Sequence, residues 1–234
     1  MDPNLAQTNL QLYVQMRAAG APDTDIHTIQ KDYETACMLF GTLCRSTGRP
    51  FLCHAAGTAS AALHEGATFI DVRAALLHAA YKHGRFPDGK KKRTPRHRAW
   101  LTNRVGPELA DLLTVYSGFS FTPEDVQGYI ASDSPPDDLT LRLIRLKLAN
   151  DVDDSHCFGA ALGHKARYQD PTWLTMRQRL SQKLGFSFSA KAFAKALEEC
   201  ADAGWLDTQT EFARVGYTRS IVNQTYRKIM GKDR

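Results

Sequence analysis

Apolar residues recur every three to four positions along most of the chain, and that period predicts helices. Leu5 to Ala19 reads as the first, closed by Gly20-Ala21-Pro22. Asp25 to Cys44 carries Ile26, Ile29, Tyr33, Ala36, Cys37 and Phe40 on one stripe, and Arg45 to Pro50 breaks it. Further helices are expected over Phe51–His64, Ile70–Tyr81, Glu108–Tyr116 and from Pro123 onward, with Thr122 as N-cap. After a linker from Ser132 to Asp138, Leu139 to about Phe158 gives the longest periodic run. Thr172–Leu184, Ser189–Ala203 and Glu211–Met230 complete the set. No alternating run bounded by turn residues predicts a strand, so the expected class is all-α.

With 234 residues, 43% of them hydrophobic and 24% charged, the chain has the composition of an ordinary globular protein. No apolar run is long enough to span a membrane. The first residues, Met1-Asp2-Pro3-Asn4, have neither the basic nor the apolar region of a secretory signal. Five scattered cysteines without a CxxC pair predict reduced thiols, and the expected location is cytoplasmic.

The charge is concentrated. The chain carries 30 Lys and Arg against 25 Asp and Glu. Lys82, Arg85, Lys90, Lys91, Lys92, Arg93, Arg96 and Arg98 lie within one short stretch whose only acid is Asp88. Residues 85–98 therefore read as an exposed basic loop that either is simply solvated or holds phosphates or nucleic acid. Sparse aromatics there, Phe86 and Trp100, argue against single-strand binding. Motifs for a phosphate-binding loop, a dinucleotide fold or a serine hydrolase are absent.

Three segments carry chemistry together: Arg45-Ser-Thr-Gly-Arg-Pro-Phe-Leu-Cys-His54, Ala74-Ala-Leu-Leu-His78-Ala-Ala-Tyr-Lys-His83, and Leu146-Lys-Leu-Ala-Asn150-Asp151-Val-Asp153-Asp154. A histidine on an Ala/Leu face is either a hydrogen-bonded core residue or a metal ligand. Two of them beside an acidic cluster on an apolar helix favour a site, because buried carboxylates are costly unless paired or metal-bound.

In this order the three segments resemble the HD superfamily of metal-dependent phosphohydrolases, in particular the hydrolase domain of RelA/SpoT-type alarmone enzymes. That domain has an Arg-x-Ser-Gly-x-Pro-Tyr-x-x-His segment, then Ala-Leu-Leu-His-Asp with a Glu-Asp pair, then a Lys-Leu-Ala-Asp helix. Arg45–His54, Ala74–His78 and Lys147–Ala149 match these, and Val105–Leu113 is similar to the family's intervening helix. The resemblance spans residues 25 to 160 and implies an HD-like helical bundle over residues 1–165. Residues 166–234 are then a C-terminal helical extension packed on it, in which Trp173, Phe186, Phe188, Phe193 and Trp205 are core or homo-oligomer contacts.

Departures accompany the matches. The family's second metal-binding Asp falls on Ala79, its Glu-Asp pair on the Lys82-His83 region, and its later Asp on Asn150. His54 and His78 carry over as metal ligands. Asp154, on helix geometry, or Asp151, if the alignment slips by one, supplies a carboxylate for one divalent ion (Mn, Fe or Zn). His83 and Lys82 stand as the candidate acid/base groups. Arg45 sits where the family contacts the base, and Arg49, Lys82, Arg85 and Asn150 are candidate ligand or phosphate contacts. The expected function is a divergent HD phosphohydrolase acting on a phosphorylated small molecule or nucleotide. The alternative is an inactive pseudoenzyme that binds such a ligand or a protein partner, and nucleic-acid binding through the basic loop comes third.

Overall fold

A computed structural model describes residues 4–45, 49–156 and 171–202. The described chain is all-helical, with no strand among the described residues and only an isolated bridge between Cys44 and Pro50. None of its helices is long and apolar enough to cross a membrane.

The helices are α1 (Asn9–Ala18), α2 (Asp23–Phe40), α3 (Phe51–His64), α4 (Phe69–Leu77), α5 (Ala80–His83) and α6 (Pro95–Val105). They continue as α7 (Pro107–Gly118), α8 (Pro123–Ala131), α9 (Asp138–Ser155), α10 (Pro171–Lys183) and α11 (Ser187–Asp202). Helix α3 forms the centre. Its side chains are mostly small, and every residue from His54 to Ala62 is buried, so α1, α2, α4 and α9 all pack against it. Helices α10 and α11 pack on each other, on α8 and on α9. Glu65 accepts from the backbone N–H of Phe188 and Ser189, which anchors the start of α11 on the end of α3. Trp173, Phe186 and Phe193 are buried. Trp205, Cys157 and the expected helix Glu211–Met230 lie outside the described residues.

Helix α2 stops at Phe40, four residues before the expected Cys44, and three other differences from the sequence expectation shape the surroundings of the site. The first helix begins at Asn9, not Leu5, because Thr8 and Gln11 form a capping box; Leu5 and Ala6 are buried in the extended lead-in. The expected helix Ile70–Tyr81 is two, broken at His78-Ala79, where Ala79 leaves helical geometry (φ −92°, ψ 5°). His78 Nδ1 lies 2.7 Å from the Ala75 carbonyl, the acceptor that the backbone N–H of Ala79 would use in an unbroken helix.

The third concerns the basic segment 85–98, which is only partly loop. Thr94 accepts from the His97 N–H, Pro95 occupies the first helical position, and α6 starts there. The loop before it is folded around a buried Phe86, which stacks on His97 with ring centroids 4.0 Å apart. His97 Nδ1 faces the Lys92 carbonyl at 2.7 Å and Nε2 faces Asp88 at 3.0 Å. Lys90, Lys91 and Lys92 remain exposed.

Candidate functional site

The segment before α3 closes on itself: the Arg45 N–H donates to the Arg49 carbonyl and the Phe51 N–H to the Leu43 carbonyl. Two arginines are thereby carried to the end of α9. Arg49 donates to Asp153 Oδ1 (2.7 Å) and to the Cys53 carbonyl (3.0 Å). Arg45 forms an ion pair with Asp154, and its guanidinium carbon lies 5.4 Å from the Phe51 ring centroid.

His54, fully buried on α3, points Nδ1 at Asp153 Oδ2 across 2.6 Å. That contact puts a ring hydrogen on Nδ1, and Nε2 is buried without a hydrogen-bond partner. The His78 ring stands edge-on to it, with centroids 5.1 Å apart. Its Nδ1 donates to the Ala75 carbonyl. Burial, reinforced by the neighbouring His54, pushes the His78 pKa well below its ordinary value and keeps the ring neutral.

Asp153, the carboxylate that orients His54, was not among the residues singled out from sequence. The signal that points to it is Gly57. A Cβ there would sit 1.7 Å from Asp153 Oδ1, so the glycine in the middle of α3 exists to admit that carboxylate.

A cleft of about 520 Å³ opens beside this cluster. Arg45, His78, Ala79, Lys82, His83, Asn150, Asp151 and Asp154 all line it, so the structure gathers eight of the positions marked in the sequence. Arg49 lies behind the cleft in its ion pair with Asp153 and is not a lining residue. Arg85 is exposed, is anchored by its backbone N–H to Leu39, and does not line the cleft. His54 is also set behind the lining, next to His78. Lys82 is exposed at the mouth; His83 is half-buried, its ring 5.5 Å from that of Phe51.

Three further lining groups escaped the sequence reading. Tyr116 of α7 is buried, and desolvation followed by the charge of Asp151 drives its hydroxyl pKa up, so it stays protonated. Lys147 of α9 sits 4.0 Å from the Tyr116 ring centroid, and burial pushes its pKa down to about 8. Arg177 of α10 donates from Nε to Asp151 Oδ2 at 2.9 Å, while Asn150 donates to Asp151 Oδ1 at 3.1 Å. With Phe119, Phe121 and Trp173, Tyr116 gives the cleft aromatic walls.

Imidazole nitrogens such as those of His54 and His78 suit a divalent ion. The carboxylates are already engaged: Asp154 is held by Arg45, Asp153 by Arg49 and His54, and Asp151 by Arg177. His54, Asp153 and Asp154 do offer ligand atoms within 4.8 Å of one another, but each carboxylate in that group already carries a guanidinium. An ion here would therefore have to compete with the arginines for these carboxylates. They form a cluster of alternating charge.

Neither a model of a known protein family nor a curated protein matches the chain.

Proposed function

We propose that the cleft binds a phosphorylated small molecule of the nucleotide class, and that this chain is a ligand-binding relative of HD-type phosphohydrolases that works without a divalent ion. The observation that carries the reading is the make-up of the cleft. Among the described residues, Arg45, Lys82, Lys147 and Arg177 face two carboxylates, Asp151 and Asp154, so the described lining has an excess of positive charge. Aromatic rings beside that charge suit a planar base attached to phosphate. The order of Arg45–His54, His78 and Lys147–Ala149, similar to the RelA/SpoT-type domain, supports the same ligand class.

Calorimetric titration with nucleoside mono-, di- and triphosphates in the presence of a chelator tests the reading. Saturable binding that weakens with Lys82→Ala is expected. Absence of binding to every compound overturns it.

One observation favours a second reading, the metal-dependent hydrolase. His54 Nε2 is buried and unpartnered, and a buried polar atom left so normally costs about 1–3 kcal/mol. Elemental analysis of protein purified without chelator decides between the two. One ion per chain, lost in both His54→Ala and His78→Ala, establishes the second reading and removes the first.

A further inference from the structure

We infer that Arg177, on a helix outside the stretch that resembles the HD family, is the buried oxyanion receptor of the cleft. Its guanidinium carbon lies 4.6 Å from the Phe121 ring centroid and 4.8 Å from that of Trp173, a stack between two rings. The side chain is only 3% exposed, yet it lines the cleft. One edge is occupied, since Nε donates to Asp151. Nη1 is buried and has no hydrogen-bond partner.

Buried polar groups are almost always hydrogen-bonded; Arg49 Nε, Arg145 Nε and Arg177 Nη1 are not, and of the three side chains only Arg177 lines the cleft. Here Nη1 is left without a partner in a side chain held by two rings and an ion pair, and the neighbouring space is a cleft with excess positive charge. That combination is what a preorganised oxyanion site requires. Stacking and Asp151 hold the guanidinium plane, and Nη1 takes a ligand oxygen without further ordering. Phe121, half-buried on the connection between α7 and α8, forms the cover of the guanidinium.

The ligand chemistry is an oxyanion, phosphoryl or carboxylate. Lys82 meets it at the mouth and Arg177 at depth, with Lys147 on the wall. The inference rests on the reading of the cleft as a binding site, and it adds that α10 decides which ligands are held.

The test uses the full chain, isotope-labelled on arginine side-chain nitrogens, with inorganic pyrophosphate as the phosphoryl probe and malonate as the carboxylate probe. The Arg177 guanidinium resonance is expected to move saturably with the probe that fits. Arg177→Lys, which keeps the charge but loses the second donor edge, is expected to weaken that probe tenfold or more. Binding in the wild type with an unmoved Arg177 resonance, or with unchanged affinity in Arg177→Lys, overturns the role of Arg177 and leaves the cleft reading intact. No binding of either probe, or of any nucleotide, overturns both. The resonance is read on the unaltered chain, so a variant that fails to fold does not block the decision.

Discussion

Arg45 and Asp154 are an ion pair formed across 109 residues of sequence, and the pair lines the cleft in which Arg45 would otherwise stand as a bare cation. The side chains are 13% and 10% exposed, so water screens the pair little. Asp154→Asn is expected to lower stability by about 2–4 kcal/mol, since it strands a mostly buried guanidinium. The same change is expected to tighten binding of a phosphorylated ligand, because Arg45 is released to it. Chemical denaturation and calorimetry on one preparation check both, and a variant that loses stability without gaining affinity separates Arg45 from the ligand.

Gly57→Ala reports on the buried cluster. In an ordinary helix interior the change stabilises by about 1 kcal/mol. Here the added Cβ would fall on Asp153 Oδ1 and lie 3.0 Å from Arg49 Nη2, so it separates a buried ion pair. A net loss of about 2–4 kcal/mol is expected in urea unfolding, and an unchanged midpoint refutes the close approach.

Away from the cleft, Arg73 on α4 donates from Nε to Asp32 on α2 at 2.6 Å. Burial raises the Asp32 pKa, and Arg73 opposes that rise. Arg73→Met is expected to cost about 3–5 kcal/mol at pH 7, because an unpaired carboxylate is left inside. With the folded-state pKa raised above the unfolded one, the folded state binds more protons over the interval between them, so stability falls as pH rises through it. The Arg73→Met deficit is therefore smaller at pH 5 than at pH 7, and thermal melts at the two values measure it.

Lys147 gives the cleft a pH dependence. With its pKa pushed down to about 8 by burial, the ammonium is populated at pH 7 and mostly lost by pH 9. Binding of a nucleoside diphosphate is expected to weaken by about tenfold over that interval, the order of one charged hydrogen bond. Lys147→Met is expected to bind weakly at both pH values. A pH profile that is the same in wild type and variant removes Lys147 from the ligand.

Helix content was legible in the sequence because three-to-four spacing is a local property: α3 and α8 begin where Pro50-Phe51 and Thr122-Pro123 place them. The breaks were not. The interruption at His78-Ala79 comes from a side-chain bond to the preceding turn, and α6 starts inside a charge run whose period is hidden by lysines and arginines. At the site, matching segments brought forward His54, His78, Arg45 and Asp154. Partner choice among Asp151, Asp153 and Asp154 at the end of α9 was beyond reach, since it depends on which arginine arrives from elsewhere: Arg45 for Asp154, Arg49 for Asp153, Arg177 for Asp151. Arg177 itself lies in a segment that no motif covers.

The Arg177–Asp151 pair spans 26 residues, and it ties the end of α9 to a helix made later. At a synthesis rate of about 5–20 residues per second, Asp151 leaves the ribosome about one to five seconds before its counter-ion. During that interval the carboxylate has Asn150 beside it and no cation from α10. The end of α9 therefore cannot have its counter-ion until α10 has been made and docked, so the wall of the cleft that receives the ligand is completed only after the rest of its lining has been synthesised.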